Sequence, residues 1–155
     1  MKKVLQVLGF ALVAMVLFAG CGKKDKWKDV DQPVTEITFS DGSWEGEYYM
    51  SMDYMGVSME EDFVIEFDVA NGKCTATGGY MKVEANGQSS GQQELTAAEL
   101  AGLKDQPTST FLSYLGMEVG GLPPASEFKT NEDKTKYRYF EEDDAGEIEV
   151  TFVKQ

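Results

Sequence analysis

The sequence contains no histidine and only two cysteines, Cys21 and Cys74. Without histidine, the chain cannot form a Ser-His-Asp or Cys-His catalytic site, or an ordinary zinc or haem site. It also lacks a glycine-rich phosphate loop, because the Gly78-Gly79 pair has neither the helix nor the lysine that such a loop requires. These absences exclude several common classes of enzyme, and no resident cofactor is expected.

Basic residues are scarce: 14 Lys and Arg stand against 27 Asp and Glu, which gives a formal net charge of −13. The first 33 residues carry six lysines and three aspartates, so residues 34–155 carry a net charge of −16. Such a domain repels nucleic acid and anionic lipid, and neither is expected as its ligand. The usual meaning of this charge is a well-solvated surface.

The one long apolar run, Val4–Phe18, lies at the start of the chain. Lys2 and Lys3 precede it, and the small residues Ala19 and Gly20 follow it. This order is typical of a secretory signal peptide, and residues 1–20 are predicted to be one. A membrane-spanning helix is not expected, because the run is shorter than the roughly 20 residues that such a helix needs.

The segment Phe18-Ala19-Gly20-Cys21 resembles the lipobox of bacterial lipoproteins, in which small residues directly precede an obligatory cysteine. The resemblance implies a diacylglyceryl group on the Cys21 thiol, cleavage before Cys21, and fatty acylation, such as with palmitate, of the new amine. It places the protein at the cell membrane or the outer membrane, facing the periplasm or the exterior. Gly22 and Lys23 lack the aspartate that retains enteric lipoproteins at the inner membrane, which favours an outer membrane where one exists.

Residues 21–33 are predicted to be a tether between the acylated cysteine and a single domain of residues 34–155. Two interpretations of the tether stay open. Its lysines and Trp27 contact anionic headgroups and the membrane interface, or the segment is a linker that stays clear of the bilayer. The lysines concerned are Lys23, Lys24, Lys26 and Lys28.

The clearest structural pattern is a strict alternation of apolar and polar residues between Trp44 and Val69. A period of two over more than twenty residues predicts two long, half-buried antiparallel strands and excludes a helix. Glu61 falls on the apolar side and Val64 on the polar side. The apolar side comprises Trp44, Gly46, Tyr48, Met50, Met52, Tyr54, Val57, Met59, Phe63, Ile65, Phe67 and Val69.

Two Asn-Gly pairs bracket a third predicted strand, Lys73–Ala85. Asn71-Gly72 and Asn86-Gly87 are both suited to type I′ hairpin turns, which need a positive φ at both central residues. Gly78-Gly79 inside the strand indicates a β-bulge. A shorter strand, Val34–Phe39, is expected to pair at the edge of this meander.

A short helical insert is predicted after the meander. Thr96 to Glu99 form a capping box, and the helix is expected to run to about Asp105 before Pro107. A second helical turn or two is expected to end at Gly116, with a strand as the alternative. Its apolar face would comprise Phe111, Leu112 and Leu115.

The chain ends in a predicted hairpin of two strands, Lys136–Glu141 and Glu147–Val153. The elements together predict a mainly β fold: an antiparallel meander, curled into a small barrel or sandwich, with a short helical insert. Gly42-Ser43-Trp44 also resembles the Gly-x-Trp that opens the first strand of lipocalins. That resemblance implies a lipocalin-like shape, in which Trp44 closes one end and a late basic residue such as Arg138 packs over it.

Two single residues deserve separate predictions. Once Cys21 is acylated, Cys74 is alone, so an internal disulfide is excluded. Cys74 is expected to be a small buried side chain, with an intermolecular disulfide as the alternative. Glu61, on the apolar side, is expected to pair with a basic residue or to lie near an open end of the sheet. A catalytic carboxyl with a raised pKa is the alternative.

Methionine is clustered, with Met50, Met52, Met55 and Met59 inside ten residues. Three of them, Met50, Met52 and Met59, share the inward face. Methionine serves as flexible core filler or lines adaptable apolar pockets. Because thioethers are also soft ligands for Cu(I), these three residues are the candidate metal ligands.

The predicted function is that of a non-enzymatic, membrane-anchored lipoprotein whose β-domain binds a small apolar ligand or a partner protein in the cell envelope. A hollow interior would favour the small ligand, and a filled interior with an exposed apolar patch would favour the partner. The alternatives are a Cu(I) or Ag(I) carrier, and a hydrolase that uses acidic residues. The predicted ligand pocket comprises Tyr48, Met50, Met52, Phe63, Ile65 and Phe67.

Overall fold

The computed structural model describes residues 26–155, so the predicted signal peptide and Cys21 lie outside the described residues. The fold is mainly β, with ten antiparallel strands in one sheet and two α-helices. None of the described helices is long and apolar enough to cross a membrane. The strands are β1 (Gln32–Pro33), β2 (Gly42–Tyr54), β3 (Val57–Ala70), β4 (Lys73–Ala85), β5 (Gln88–Ser89), β6 (Gln93–Glu94), β7 (Gln106–Pro107), β8 (Lys129–Thr130), β9 (Lys136–Asp143) and β10 (Gly146–Lys154). The helices are α1 (Ala97–Gly102) and α2 (Thr108–Glu118), and a 3₁₀ turn covers Ala125–Glu127.

The strands follow the order β1-β8-β9-β10-β2-β3-β4-β5, and β6 and β7 also pair with β4. The long strands β2, β3 and β4 form the predicted meander, and β9 and β10 form the predicted terminal hairpin. The first and last strands of the sheet do not pair with each other. The sheet is therefore a curled open sheet with a helical insert, which confirms the predicted fold class without closing a barrel.

The predicted alternation is confirmed by the pairing of β2 with β3. Trp44 lies opposite Phe67, Tyr48 opposite Phe63, and Met52 opposite Met59. All of these side chains project from the same face, which we call the inner face because the helices and the core lie on it. Tyr49 and Val64 project from the outer face.

The turn predictions are also confirmed. Asn71-Gly72 has φ values of +54° and +73°, and Asn86-Gly87 has φ values of +49° and +74°. These values are those of type I′ turns. The β3–β4 register shifts between Glu66 and Phe67, so the bulge lies where the Gly78-Gly79 pair predicted it.

The sheet has a closed end and an open end. The closed end carries Trp44 and the Asn71-Gly72 turn, and aromatic side chains fill its inner face. Phe39 lies 4.9 Å from Trp44, 5.0 Å from Phe67 and 5.3 Å from Phe152, measured between ring centroids. The open end carries the hairpin turns at Met55-Gly56, Asn86-Gly87 and Asp144-Ala145.

The prediction of a strand at Val34–Phe39 is wrong. Residues 34–41 form no strand, and only Gln32–Pro33 pairs, with β8. The buried side chains are Val34, Ile37 and Phe39, whose spacing does not follow the period of a strand. The segment instead crosses the closed end as a plug, and the Tyr137 hydroxyl donates to the Thr38 carbonyl oxygen at 2.7 Å.

The two helices differ from the prediction at their ends. α1 has the predicted capping box at Thr96 and Glu99 but ends at Gly102 rather than near Asp105. α2 is a helix, as preferred, and its buried residues are Phe111 and Leu115. It continues past Gly116 to Glu118, because a chain reversal is available only at Gly120-Gly121, with φ values of +75° and +134°.

The last part of the predicted tether packs on the outer face of the domain. Trp27 is only 8% exposed, and its ring centroid lies 5.5 Å from the Arg138 guanidinium carbon. The Lys136 ammonium lies 3.1 Å from the Asp29 carboxylate. Trp27 and Asp29, both inside the predicted tether, therefore contact the sheet.

The lipocalin resemblance predicts one contact that is wrong. Trp44 is buried at the closed end, with its indole N–H donating to the Ser40 carbonyl oxygen at 2.9 Å. Arg138 does not pack over it, because residue 138 projects from the outer face. There its guanidinium lies between the rings of Trp27 and Phe140 and 2.7 Å from Glu149.

Candidate functional site

The inner face of the sheet is covered at the closed end and uncovered at the open end. Phe111 of α2 lies 4.7 Å from Phe67, measured between ring centroids, and buries the closed half. Beyond Tyr48 the helices stop, and the strands continue for six residues to the hairpin turn. Met50 and Met59 are half-buried there, and Met52 is 37% exposed.

We call the apolar part of this uncovered surface the methionine floor, defined as Met50, Met52, Met59 and Ile148. Strand register brings the four together: Met50 lies opposite Ile148 on β10, and Met52 lies opposite Met59 on β3. Side chains in directly opposite positions have Cβ atoms about 4.5–5.5 Å apart. The floor is therefore one continuous patch across three strands.

A groove of about 300 Å³ runs along one side of the floor. Its apolar lining comes from Met50, Met52 and Ile148, and the turn at Ala145-Gly146 forms its end. Its acidic rim comes from Glu141 and Asp143, which project from the inner face; Glu147 also lines the groove but projects from the outer face. The groove is thus an apolar trough with acidic walls, at the low end of the volume range of small-molecule sites.

Glu61 lies on the inner face beside the floor, between Met50 and Val83 in the strand register. It is half-buried, and within residues 26–155 it forms no salt bridge and no side-chain hydrogen bond. The prediction offered two places for this residue, and it occupies the second, near the open end of the sheet. Burial, and then the Glu61 charge, raise the pKa of the neighbouring Tyr48 hydroxyl.

Tyr139 and Glu141 form a second polar contact at the margin of the groove. The Tyr139 hydroxyl donates a hydrogen bond to the Glu141 carboxylate. This bond raises the pKa of Tyr139 to about 12, with burial as the next cause. Tyr139 therefore stays neutral at physiological pH, and Glu141 is held as part of the rim.

The six residues of the predicted ligand pocket fall into two groups. Phe63, Ile65 and Phe67 are buried in the packed core, and the space beside Phe63 under α2 holds only about 10 Å³. Met50 and Met52 line the groove. Tyr48 joins the groups, since it is buried while its hydroxyl donates to Met50 Sδ at 3.7 Å.

The three candidate thioether ligands share one surface. Met52 and Met59 are cross-strand neighbours, and Met50 is two residues from Met52 on the same face. Cys74 is far from them and fully buried, with its Sγ 3.8 Å from Thr108 Oγ1. Burial raises the pKa of the Cys74 thiol, as expected for a structural cysteine. Among the residues the structure describes, no group of three Asp, Glu or Cys side chains is placed to hold a metal ion.

Glu61 and Glu141, the two inward glutamates beside the floor, are not close to each other. Glu61 on β3 and Glu141 on β9 both face inward, but β10 and β2 lie between their strands. Three strand spacings separate them by about 14 Å. Glycosidase carboxylates lie about 5–9.5 Å apart, so this pair does not match that geometry.

The acidic rim was missed in the sequence, because it depends on pairing across the last hairpin. Glu141 and Asp143 belong to β9, and Glu147 and Ile148 to β10. Only the β10–β2 register brings these residues beside the methionines. The available signal was the acidic turn itself, which separates two strands of suitable length.

A second acidic group lies on the outer face and was also missed. Glu47 is half-buried, and its pKa is raised by burial and by the Asp62 charge. Asp62 accepts a hydrogen bond from the Tyr80 hydroxyl at 3.3 Å, while its second carboxylate oxygen is buried without a partner in residues 26–155. The outer face thus carries two carboxylates in unfavourable surroundings, Glu47 and Asp62, and the inner face carries the groove.

No protein-family model matches the chain, and neither does any curated protein or solved structure.

Proposed function

We propose that this chain is a lipid-anchored protein of the bacterial cell envelope whose β-domain binds a partner protein at the methionine floor and its groove. This function is binding, without catalysis. The single observation that carries it is the continuous, partly exposed apolar floor at the open end of a sheet whose remaining inner face is filled.

A partner protein is favoured over a small ligand because the interior has no room for one. Phe63, Ile65 and Phe67 are each at most 2% exposed, and the space beside Phe63 under α2 holds only about 10 Å³. A cavity of that size accommodates at most one water. The floor is a shallow, partly exposed apolar surface, which suits a protein segment.

The charge around the floor specifies the chemistry of the partner. Glu61, Glu141 and Asp143 lie on the inner face beside apolar side chains that are flexible and adaptable. A complementary segment carries an apolar side chain for the groove and lysine or arginine beside it. Like charge on the partner would be repelled, so an acidic segment is disfavoured.

The test uses a chain beginning at residue 22, which keeps every described residue, with ¹³C-labelled methionine methyl groups. The probes are a synthetic peptide of alternating leucine and lysine, and the same peptide with glutamate replacing lysine. The leucine–lysine peptide should shift the methyl signals of Met50, Met52 and Met59. Met117, which is 73% exposed on α2, serves as the internal control and should not shift.

Glu61→Lys and Glu60→Lys form a matched pair, because adjacent residues of β3 project from opposite faces. Glu61→Lys should weaken binding of the leucine–lysine peptide about tenfold, or about 1.4 kcal/mol, and Glu60→Lys should weaken it much less. Equal weakening by both variants would show only long-range charge attraction. Equal binding of the two peptides would contradict the proposed partner chemistry.

A Cu(I) or Ag(I) carrier is the second candidate, favoured by the placement of Met50, Met52 and Met59 on one partly exposed surface. Three thioethers within reach of one ion suit these soft cations. Ag(I) should then raise the melting temperature of the chain, and Met50→Leu with Met52→Leu should abolish the shift. An Ag(I) shift that survives in the double variant would contradict this candidate.

The anchor is tested separately through Cys21. In the native host, the full chain should fractionate with membranes and incorporate radioactive palmitate. Cys21→Ser should abolish labelling and release or misprocess the protein. An intact Met1 with an unmodified thiol at position 21, seen by mass spectrometry, would contradict the anchor.

A further inference from the structure

We propose that the closed end of the β-domain lies against the lipid bilayer and that the open end, with the methionine floor, points away from it. This orientation rests on the proposed lipid anchor at Cys21. The closed end faces a bilayer surface with anionic headgroups, which repels the whole acidic domain but repels the open end more strongly. Three observations support the inference: the short segment between Cys21 and Lys26, the position at which Trp27 packs on the sheet, and the distribution of charge.

The chain between the anchor and the folded body is short. Only residues 22–25 separate Cys21 from Lys26. Five residue-to-residue steps span at most about 18 Å even when fully extended. The acyl chains therefore hold the body within about 18 Å of the place where Lys26 meets it.

That place is fixed near the closed end. Trp27 is packed beside Arg138, and Lys136 binds Asp29 and the Lys26 carbonyl oxygen, the latter at 3.5 Å. Lys136 is the first residue of β9, whose last residue, Asp143, lies at the open end. Seven strand steps separate these two residues by about 23 Å. The anchor therefore enters at one end of the sheet, and the groove lies at the other.

Charge is distributed unevenly between the two ends. We define the open half as residues 50–62, 81–90 and 140–149. It contains eleven carboxylates and one basic residue, Lys82, for a net charge of −10. The rest of the described chain contains nine basic residues and fifteen carboxylates, for a net charge of −6, so both parts are acidic and the open half is the more acidic. The carboxylates of the open half are Asp53, Glu60, Glu61, Asp62, Glu84, Glu141, Glu142, Asp143, Asp144, Glu147 and Glu149.

An anionic bilayer discriminates between the two ends. The field of its headgroups falls off over a Debye length of about 8 Å at physiological salt. With the open half turned away, most of its charge lies beyond that distance. With the open half turned toward the bilayer, ten net negative charges would meet the headgroups. Repulsion and the short tether therefore favour the same orientation.

The closed end also presents lysines that suit headgroups. Lys28 and Lys134 are exposed there, and Lys154 ends β10. Lysines beside an anionic surface are attracted to it.

The test uses the mature, acylated chain reconstituted in vesicles of phosphatidylcholine with phosphatidylglycerol. Asp133→Cys and Asp144→Cys make the same chemical change at opposite ends of the molecule, and each new thiol carries one fluorophore. Cys74 is fully buried and Cys21 is acylated, so neither should react. Headgroup-linked nitroxide lipids should quench the fluorophore at position 133 at least threefold more than that at position 144.

Equal quenching, or stronger quenching at position 144, in vesicle-bound chain would overturn the orientation and leave the anchor intact. Chain that stays out of the vesicle fraction would overturn the anchor and the orientation together. As a charge control, Glu142→Lys with Glu147→Lys should reduce the difference between the two positions in anionic vesicles. No change in that variant would show that charge does not set the orientation.

Discussion

Glu47 lies on the outer face of β2 and is the described carboxylate whose pKa is most clearly raised by its surroundings. Burial is the main cause, and the charges of Asp62, Glu149 and Glu45 add to it. Lys26 is the one nearby group that opposes the shift. A raised folded-state pKa means that ionised Glu47 destabilises the fold.

We therefore predict that Glu47→Gln stabilises the protein at neutral pH by about 0.5–1 kcal/mol. The sign follows from linkage: the folded state holds the Glu47 proton more tightly than the unfolded state, so stability is lost as pH rises through the folded pKa. The gain should be present at pH 7 and absent near pH 4. Urea unfolding at both pH values measures it.

Glu45→Gln is the matched control, because it removes the same charge two residues away on the same face. A gain at position 47 no larger than at position 45 would indicate general relief of repulsion. A gain that persists at pH 4 would show that the Glu47 proton is not the cause.

The orientation of a single residue was predicted well where the strand period or a local turn determines it. The inward position of Glu61 and the outward position of Val64 follow from the strand period alone. The partners of each residue were not predictable in this way. Glu47 meets Asp62, and Met50 meets Ile148, only because particular strands pair in a particular register.

At the scale of the element, the bulge of β4 is the feature on which the inner face depends. It shifts the inward set from Cys74 and Ala76 to Met81 and Val83. Gly79 has φ +152°, and an added Cβ would lie 2.4 Å from the Val64 carbonyl oxygen and 2.9 Å from a Leu95 methyl carbon. The backbone here leaves no space for a side chain.

Gly79→Ala should therefore destabilise the protein by about 2–3 kcal/mol, through steric overlap and backbone strain. Gly72→Ala is the control, because Gly72 also has a positive φ, +73°, but nothing lies within 4 Å of an added Cβ. That variant should cost about 1 kcal/mol. Equal costs would show that strain, and not the close approach to β3, makes Gly79 necessary. Thermal and urea unfolding measure both.

The elements that were predicted correctly are specified by nearby residues in the sequence. The elements that were predicted wrongly depend on tertiary contacts. The turns and the capping box are specified by neighbouring residues. The Val34–Phe39 segment has strand-like composition, yet its backbone is bonded by the Tyr137 side chain rather than by a strand. Gly116 lies inside α2 rather than at its end, and an added Cβ there would lie 3.4 Å from the Leu122 backbone nitrogen.

At the scale of the whole molecule, Trp27 joins the segment before residue 34 to the sheet. Trp27→Ala should destabilise the fold by about 2–3 kcal/mol, because it removes a nearly fully buried aromatic side chain. Phe140→Ala is the control: Phe140 lies on the other side of Arg138, at 4.7 Å, but is 43% exposed. It should cost below about 1 kcal/mol. A Trp27 variant as stable as the parent would show that residues 26–33 do not belong to the folded body.

Fold class was predictable because period-two alternation and Asn-Gly turns accumulate along the chain. The packing of Trp27 against the sheet was not, because a lysine-rich segment with a single tryptophan has the composition of a linker. The groove was not predictable either, since it arises where the helices stop short of the hairpin turns. Composition alone does not show how far the helices extend along the inner face of the sheet.

The incomplete closure of the sheet has a consequence for association between copies of the chain. An uncapped strand border is a template for pairing with another copy. Here one border ends in the two-residue strand β1, where Pro33 offers no backbone donor. The other border, β4, is shielded in part by the short segments β5, β6 and β7 of the same chain. Molecules packed side by side thus find few free backbone groups through which to polymerise.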